Sequence, residues 1–477
     1  MRVLHAAAEL FPWAKVGGLG DVLGALPQVQ RALGIKARLL LPAYPALKQA
    51  FPELDFAGCI EDLLGTGPAN LLMGRTPDGV PLYLLDAPFL FDRPGGPYAD
   101  TGDNHVRFGA LSFAAAWLGK HGDSRHWRPD ILHCHDWQTA LAPAYLHYWG
   151  GARPATVMTI HNLAYQGNYG PEILPSLAMP PEAFQMAGIE FHGRVNFLKG
   201  GLHFADRLTT VSPTYAQEIQ GAALGEGLDG LLHHRRHDLV GILNGVDGRI
   251  WSPSASQHVP AHYDIHHRSG KKVCKNLLQQ ELHLAESLHT PLFAVVSRLV
   301  TQKGLDLVLA NAERLVKAGA QLAILGAGDP VLEEGFRKAA HHYPGQVAVR
   351  IGYDEALAHR LLAGADVLMV PSRFEPCGLT QLYALAYGTL PLVRRTGGLA
   401  DTVVDISPAS LAEGRATGFL FEEADTAALG QSLDRACALF SDHADDWCKV
   451  QGNGMKQDFS WRTSAKGYLE MYRNLVG

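Results

Sequence analysis

Short apolar runs alternate with helical patterns along the whole chain. In the first half, the runs that predict strands are Val3–Ala7, Ala37–Leu41, Ile131–Cys134, Val157–Ile160 and Arg207–Val211. In the second half they are Pro291–Val296, Gln321–Leu325, Val347–Ile351, Val367–Val370 and Leu390–Val393. Continuous apolar strands separated by helices are typical of parallel sheets that helices cover on both faces. The pattern therefore predicts an α/β protein with two doubly wound, Rossmann-like sheets.

A turn-rich segment near the middle of the chain, Asn244-Gly-Val-Asp247 with Trp251-Ser-Pro253, separates the two series of strands. We therefore predict one domain at residues 1–244 and a second at residues 245–455. The closing residues, 456–477, carry an amphipathic helical pattern from Phe459 onward. A length of 477 residues is sufficient for two or three domains, each with its own core.

Composition narrows the class of protein without deciding it. The net charge of −6 disfavours a nucleic-acid or anionic-membrane partner. The six cysteines are scattered with no C-x-x-C pair, which favours reduced thiols and a cytoplasmic location. No run of 18 apolar residues predicts a membrane span, and His5 and Glu9 come too early for a signal peptide.

The most informative stretch is Pro371–Gln381, which follows the apolar run Val367–Val370 and precedes a helical pattern that ends at Gly388. Glu375 is the carboxylate of this loop. The backbone N–H groups at the predicted helix start belong to Gly378, Leu379 and Thr380. Such N–H groups form an anion site suited to phosphate, and a nearby carboxylate can bind sugar hydroxyls. A strand–helix turn capped by polar residues explains the same pattern without a ligand.

A second loop carries two cations. Arg298 and Lys303 lie between the predicted strand Pro291–Val296 and a helical pattern that begins at Gly304. Arg can grip two phosphate oxygens while Lys acts as a mobile point charge, so the pair suits a diphosphate. Two solvated surface cations are the structural alternative.

The third segment follows the first predicted strand. Lys15-Val-Gly17-Gly18-Leu-Gly20-Asp21 opens a helical pattern, and its glycines let the backbone approach a ligand closely. The lysine precedes the glycines, so this is not a Walker A loop. The glycine spacing does not match G-x-G-x-x-G, and no acidic residue ends the strand Ala37–Leu41, which disfavours a nicotinamide oxidoreductase.

Seven motifs, in this order, resemble those of bacterial glycogen synthases and plant starch synthases. They are Lys15-Val-Gly-Gly-Leu, His135-Asp136-Trp137, Thr159-Ile-His161-Asn162, Asn244-Gly-Val-Asp247, Ser297-Arg298 with Lys303-Gly304, Pro371–Gln381 and Arg395-Thr-Gly-Gly-Leu-Ala-Asp401. The likeness covers essentially the whole chain and looks closest to the bacterial enzymes that use ADP-glucose. Related two-domain glycosyltransferases often carry a second Glu where this chain has Tyr383, a substitution that glycogen and starch synthases share.

The resemblance implies the GT-B fold, in which two Rossmann-like domains face across a deep cleft and the C-terminal helix crosses back onto the first domain. It also implies a retaining enzyme that transfers glucose from ADP-glucose to the non-reducing end of an α-1,4-glucan. The first domain would bind the acceptor and the second the nucleotide sugar.

The same resemblance implies a set of site residues. The catalytic candidates are His161, Arg298, Lys303 and Glu375. The donor-binding candidates are Lys15, Gly17, Gly18, Asp21, Asn162, Asn244, Tyr353, Cys377, Gly378, Leu379 and Thr380. The acceptor-binding candidates are Glu9, Tyr98, Asp136 and Trp137. Glu375 would bind the glucose 3- and 4-hydroxyls, His161 the 6-hydroxyl, and Tyr353 would stack on adenine.

No D-x-D-like pair is positioned to hold a metal on the diphosphate, and the cations of the loops take its place. We therefore expect no metal, no cofactor and metal-independent turnover. The expected partners are ADP-glucose and α-1,4-glucan, with no nucleic acid and no membrane. The sequence predicts no particular oligomeric state.

Several of these residues also fit structural roles. His161 and Asn162 fit a satisfied turn, Asp136 fits a helix cap, and Trp137 and Tyr98 fit a core.

The remaining alternatives concern histidine and cysteine. His133 and His135 share one face of a strand and suggest a metal, but no third ligand is evident from the sequence. Cys377 near a helix start fits either an activated thiolate or simple packing.

Two other functions use the same features. A glucan phosphorylase would make and break the same linkage, but it needs a Schiff-base lysine for pyridoxal phosphate and a much longer chain. A catalytically silent glucan-binding protein would keep the fold without turnover.

Overall fold

A computed structural model describes residues 1–476. The chain divides into two compact units. The N-terminal unit comprises Met1–Gly245 together with the C-terminal segment that begins at Trp461, and the C-terminal unit comprises Val246–Ser460. Each unit contains its own sheet and its own buried apolar core.

The strands are numbered in chain order. They are β1 Arg2–Ala6, β2 Lys36–Pro42, β3 Asp55–Ile60, β4 Ala69–Arg75, β5 Pro81–Asp86, β6 Ile131–His135, β7 Ala155–Ile160, β8 Asn168–Tyr169, β9 Glu190–Phe191, β10 Arg194–Asn196, β11 Arg207–Thr210, β12 Leu239–Gly241, β13 Leu292–Val296, β14 Gln321–Gly326, β15 Val347–Ile351, β16 Val367–Val370, β17 Leu390–Arg394 and β18 Phe419–Phe421.

The α-helices are numbered in the same way. They are α1 Gly18–Ala32, α2 Pro45–Ala50, α3 Pro88–Phe91, α4 Asn104–His121, α5 Ala142–Trp149, α6 Phe197–Phe204, α7 Pro213–Glu218, α8 Asp229–His234, α9 Ser269–Glu281, α10 Leu305–Ala310, α11 Ala312–Lys317, α12 Pro330–His342, α13 Glu355–Gly364, α14 Thr380–Ala386, α15 Gly397–Thr402, α16 Pro408–Ala412, α17 Thr426–Asp442, α18 Ala444–Met455 and α19 Trp461–Val476.

The large sheet of the N-terminal unit has the order β12-β11-β7-β6-β1-β2-β5-β4-β3. Its strands run parallel from β12 to β5, but β4 is antiparallel to both β5 and β3. The strands predicted in this sheet are all parallel, whereas the antiparallel edge formed by β3, β4 and β5 was not predicted. The connections at residues 61–68 and 76–80 are too short for a parallel crossover, which needs a dozen or more residues.

The sheet of the C-terminal unit has the order β15-β14-β13-β16-β17-β18 and is parallel throughout. Strand order reverses at β13, which lies between β14 and β16. A similar reversal occurs in the N-terminal unit at β1, between β2 and β6. Ligands of open α/β sheets bind outside the carboxyl ends of the strands at such switch points.

Helix α19 packs into the core of the N-terminal unit through Tyr468 and Tyr472, which are both fully buried. Gly245 permits the close approach of the chain to the start of this helix. A Cβ atom on Gly245 would lie 2.5 Å from the Cα of Trp461, closer than any real contact.

No helix within residues 1–476 is long and apolar enough to cross a lipid bilayer.

Candidate active site

The carboxyl edge of the N-terminal sheet gathers polar residues from three neighbouring strands. Glu9 follows β1, Asp136 and Trp137 follow β6, and His161 and Asn162 follow β7. Since these strands are adjacent and parallel, their following loops meet at one edge of the sheet. The structure thus brings together residues that are separated by up to 153 positions in the sequence.

Glu9 connects two of the predicted ligand-binding segments. Its Oε2 accepts the N–H groups of Val16 and Gly17 at 2.9 and 3.0 Å, and its Oε1 accepts the Tyr98 hydroxyl at 2.5 Å. Burial, with the neighbouring Glu9 carboxylate as a second cause, raises the pKa of Tyr98 well above its ordinary value. Glu9 and Tyr98 therefore form one hydrogen-bonded pair, and the same carboxylate shapes the glycine loop.

The glycine loop leads into α1, with Gly17 at its N-cap. A Cβ atom on Gly17 would meet nothing within 4 Å, so open space lies above this helix start. Lys15 lies beside it, with its Nζ 2.8 Å from Oδ1 of Asp21. A cation and free helical N–H groups next to open space are suited to an anionic ligand.

Asp136 holds the main chain of the His161 loop. Its Oδ1 accepts the His161 N–H at 2.7 Å, and the carboxylate also accepts the N–H of Asn162. The helix-cap interpretation is wrong, because the Asp136 side chain makes no capping hydrogen bond to the turn that follows it. Burial raises the pKa of Asp136 to about 7. Its backbone φ of 56° lies in the left-handed region, which non-glycine residues rarely adopt.

The His161 ring is neutral at physiological pH, since burial lowers its pKa to about 3. Its Nε2 lies 3.0 Å from Nδ1 of His135. The neighbouring Asn162 makes a local turn, in which its Oδ1 accepts the N–H of Ala164 at 3.1 Å. The structure thus holds His161 by both its main chain and its ring, whereas the Asn162 side chain is engaged in the loop.

Trp137 lies edge-to-face against Phe108 and Phe197, with ring centroids 4.9 and 5.9 Å apart. It remains partly exposed.

Asn244, after β12, is buried, and its Oδ1 has no hydrogen-bond partner within residues 1–476. A buried acceptor without a partner costs free energy, which a ligand donor would recover.

In the C-terminal unit, the loops after β13 and β16 join Lys303 to Glu375. The Lys303 Nζ lies 2.5 Å from the Glu375 Oε2, which also accepts the Ser372 hydroxyl at 2.9 Å. The side chains of Lys303 and Glu375 are only 19% and 9% exposed. Gly304, with a φ of 71°, allows the two loops to touch, because a Cβ there would lie 2.1 Å from the Pro371 carbonyl oxygen.

Arg298, on the same loop as Lys303, is exposed and makes one long contact, 3.4 Å from its Nη2 to the Gln302 Oε1. Other arginines close to these loops are already paired with carboxylates. Arg373 binds both carboxylate oxygens of Asp306, and Arg395 binds Glu422. Arg298 is therefore the guanidinium of this region that a ligand can engage at the lowest cost.

The predicted phosphate-binding turn lies directly after Glu375. Helix α14 begins at Thr380 with Leu379 at its N-cap. Gly378 has a φ of 70° and packs against the side chain of Gln381. Cys377 is buried, and a Cβ on Gly398 would lie 2.0 Å from its carbonyl oxygen, so its main chain is tightly fixed.

Tyr353 follows β15 and is 81% exposed. Its hydroxyl lies 2.7 Å from Oε2 of Glu355, so one ring edge is anchored. An exposed, anchored aromatic face is suited to stacking on a nucleobase.

Sequence reasoning missed the residues that support His161. No third ligand was evident beside His133 and His135, but the pairing of β1 with β6 places His5 opposite His133, and ligand-type nitrogens of all three lie within 4.8 Å of one another. Each ring nitrogen of this group already has a hydrogen-bond partner. The sequence does not show that β1 lies beside β6, and this pairing is what brings His5 to the other two histidines.

Comparison with known proteins supplies the family. The family described as "Starch synthase catalytic domain" matches residues 2–234, and "Glycosyl transferases group 1" matches residues 282–444. The glycogen synthase of Serratia proteamaculans is 50% identical over 483 residues and covers all of both chains. The glycogen synthase of Paramagnetospirillum magneticum is 49% identical over an alignment of 485 residues, which covers 100% of this chain and 98% of the relative.

The chain belongs to the glycogen and starch synthase family. It is a retaining glycosyltransferase, and the resemblance found in the sequence is confirmed. The catalytic domain of starch synthase IV from Arabidopsis thaliana, solved with ADP and acarbose, superimposes with a TM-score of 0.89 at 32% identity, covering 100% of this chain and 99% of the other. The predicted GT-B fold class is confirmed.

A sucrose-phosphate synthase from Thermosynechococcus elongatus shares the fold at lower similarity, with a TM-score of 0.59 and 17% identity over 99% of this chain and 98% of the other.

Proposed function

We propose that this member of the glycogen and starch synthase family transfers glucose from ADP-glucose to the non-reducing end of an α-1,4-glucan with retention of the α configuration. The observation that carries the proposal is the Lys303–Glu375 pair at the carboxyl edge of the C-terminal sheet. A cation for a diphosphate next to a carboxylate for sugar hydroxyls matches the two parts of a nucleotide sugar. The glycogen synthase relatives and the ADP-bound starch synthase structure support the choice of donor and acceptor.

Departure of the nucleoside diphosphate is the step that most needs stabilisation. Negative charge grows on the leaving oxygen while the sugar becomes oxocarbenium-like, and preorganised charges aimed at that oxygen are usually the largest catalytic term. We assign Arg298, Lys303 and the N–H groups of Leu379 and Thr380 to this task. Lys15 and the Gly17-Gly18 backbone are assigned to the same diphosphate.

Glu375 is assigned to the 3- and 4-hydroxyls of the transferred glucose, together with the Cys377 and Gly378 backbone. In the free protein its carboxylate pairs with Lys303. Donor binding therefore requires Lys303 to share its charge between Glu375 and the diphosphate. This sharing places the sugar and the leaving group on one charge network.

His161 is assigned to the 6-hydroxyl of the same glucose, and its main-chain carbonyl to the anomeric carbon. The hold of Asp136 on the His161 N–H supports this assignment, since it fixes the loop to which that carbonyl belongs. A neutral imidazole accepts a hydrogen bond from a hydroxyl without placing a positive charge beside the oxocarbenium-like sugar.

The acceptor glucan is assigned to Glu9, Tyr98, Asp136 and Trp137, and the N-terminal unit is accordingly the acceptor side. A partly exposed tryptophan edge packs against apolar sugar faces, while Glu9 and Tyr98 bind hydroxyls.

Tyr353 is assigned to the adenine ring, with Asp21, Asn162 and Asn244 completing the donor set. Asn244 would supply its unpartnered Oδ1.

We propose that the reaction needs no metal, because Arg298 and Lys303 neutralise the diphosphate directly. We also propose a cytoplasmic location, which the six free cysteines support.

A donor panel tests the proposed function. Purified protein is incubated with glycogen and either ADP-[¹⁴C]glucose or UDP-[¹⁴C]glucose, and the labelled polymer is then digested with β-amylase. Label that enters glycogen from ADP-glucose and is released as maltose supports an α-1,4-glucosyltransferase. Incorporation from UDP-glucose alone would overturn the donor, and tight glycogen binding with no incorporation from either would favour a silent glucan-binding protein.

A further inference from the structure

Three histidines and one glutamine of the N-terminal unit form a continuous line of hydrogen bonds that ends at His161. The His161 Nε2 lies 3.0 Å from the His135 Nδ1, and the His135 Nε2 lies 3.0 Å from the His5 Nδ1. The His5 Nε2 lies 2.7 Å from the Gln30 Oε1. His5, His135 and Gln30 are fully buried, so no water competes for these groups.

The line has a direction, which the glutamine sets. An amide oxygen only accepts hydrogen bonds, so the Nε2 of His5 carries the proton and its Nδ1 is a lone pair. That lone pair accepts from Nε2–H of His135, whose own Nδ1 then accepts from Nε2–H of His161. The Nδ1 of His161 is consequently unprotonated, and it makes no hydrogen bond to any residue in the described part of the chain.

This assignment of protons requires each ring to be neutral. A ring with protons on both nitrogens could not accept the hydrogen bond from the next histidine. Burial lowers the pKa of His5 to about 4 and that of His161 to about 3, and it lowers the pKa of His135 well below the ordinary value. Each ring therefore carries one proton near neutral pH.

A second branch holds the glutamine in its orientation. The Gln30 Nε2 donates to the Tyr472 hydroxyl at 3.4 Å, and that hydroxyl lies 2.6 Å from the His133 Nδ1. The His133 Nε2 in turn lies 2.5 Å from the Thr159 hydroxyl. Tyr472, which belongs to α19, thus accepts from the amide nitrogen and leaves the amide oxygen to His5.

We propose that His135, His5 and Gln30 are positioning residues that hold His161 in the tautomer protonated at Nε2, so that Nδ1 accepts a hydrogen bond from a hydroxyl of the transferred sugar. This inference rests on the proposed function for the identity of the ligand, but the tautomer itself does not depend on it. Fixing a tautomer through a buried partner is the same device that orients catalytic and metal-binding histidines elsewhere.

A metal bound by His5, His133 and His135 is the competing use of this cluster. The geometry disfavours it, because the His133 and His135 rings are stacked with centroids 4.2 Å apart and a 24° angle between their planes. Their nitrogens also point to separate partners, Tyr472 and Thr159 for one ring and His5 and His161 for the other.

Nitrogen NMR of the free protein tests the tautomer without any substrate. Histidine is labelled with ¹⁵N in both ring positions, and the His161 signals are identified by their loss in His161→Gln. We expect a pyridine-type Nδ1 and a pyrrole-type Nε2 for His161, unchanged from pH 6 to 8. A protonated Nδ1, averaged signals, or one equivalent of tightly bound metal per chain would overturn the proposal.

Kinetics with a deoxy donor tests the consequence. In the wild type, ADP-6-deoxyglucose should show a kcat/KM about three- to tenfold below that of ADP-glucose, the scale of one neutral hydrogen bond. Gln30→Leu, at the far end of the line, should lower kcat/KM for ADP-glucose by a similar factor and abolish the difference between the two donors. Binding of ADP, which lacks the sugar, should change less than twofold.

Tyr145→Phe is the matched control, since it removes a buried hydrogen bond of the N-terminal unit, 2.6 Å to the Leu177 carbonyl, that lies outside both branches. It should retain the discrimination against the deoxy donor. His135→Phe gives a second test closer to His161 if it folds. Undiminished discrimination in Gln30→Leu would overturn the proposal. Absence of turnover in the wild type would instead contradict the proposed function, and the NMR result would still decide the tautomer.

Discussion

Replacing Glu375 with glutamine separates the two roles that the structure gives to the Lys303–Glu375 pair. The substitution keeps the size of the side chain and its ability to accept the Ser372 hydroxyl, but it removes the negative charge 2.5 Å from Lys303. If Lys303 binds the diphosphate, the wild-type protein must weaken this ion pair whenever ADP binds. The variant has no such pair to weaken.

The magnitude follows from the burial of the pair. With side chains 19% and 9% exposed, the pair lies between exposed ion pairs, which contribute about 0–1 kcal/mol, and buried ones, whose disruption costs about 3–5 kcal/mol. Because the ADP phosphates replace part of the lost charge, we expect ADP to bind Glu375→Gln equally well or up to about fivefold more tightly, a gain of about 1 kcal/mol. Turnover should fall about 10²- to 10³-fold, the scale of a lost transition-state contact.

The assay combines ADP titration by calorimetry with kcat measured at saturating glycogen. Glu281→Gln is the matched control, because it breaks another Glu–cation pair of the same unit, 2.8 Å to Arg360, on the surface. The control should change neither quantity. ADP binding weakened more than tenfold in Glu375→Gln would show that the carboxylate holds the loop together, and wild-type turnover would refute its contact with the sugar.

The remaining predictions concern the diphosphate, the adenine and pH. Arg298→Ala and Lys303→Ala should each lower kcat by about 10²- to 10³-fold, and unchanged turnover in both would refute the diphosphate assignment. Tyr353→Ala should raise the Kd for ADP about tenfold, equivalent to about 1.4 kcal/mol of lost stacking, with kcat little changed. Val331→Ala, at another exposed position, should leave the Kd unchanged. Asp136 keeps its proton in the folded state up to a pKa of about 7, whereas the unfolded chain releases it near pH 4, so its stabilisation is complete below pH 4 and lost as pH rises through 7. The free energy of unfolding of Asp136→Asn, relative to that of the wild type, should therefore increase by about 2–4 kcal/mol from pH 4 to pH 8, as measured by urea unfolding. A difference that does not change with pH would contradict the raised pKa.

Continuous apolar strands were readable from the sequence because both faces of a parallel sheet are buried. Leu292–Val296 and Val367–Val370 illustrate this, since each is a short run with almost no polar residue. The strand Ala69–Arg75 was not readable, because it lies toward the antiparallel edge and only two of its residues are buried. Half-exposed strands carry a weaker pattern, and tertiary pairing decides them.

Individual motifs of the candidate site could be located from the sequence, but not the contacts between them. Arg298, Lys303 and Glu375 were identified by residue type and position after strands. The distance between Lys303 and Glu375 depends on β13 lying beside β16, which spacing along the chain does not encode. The line from Gln30 through His5 and His135 to His161 was missed for the same reason, because it crosses three strands and a helix.

The central claim is that this chain transfers glucose from ADP-glucose to glycogen without a metal. ADP release from ADP-glucose, measured with and without glycogen and with EDTA throughout, tests it most directly. We predict ADP release that depends on glycogen, matches the glucose gained by the polymer, and persists in EDTA. Release that requires a divalent metal, or no release in the presence of glycogen, would contradict the account.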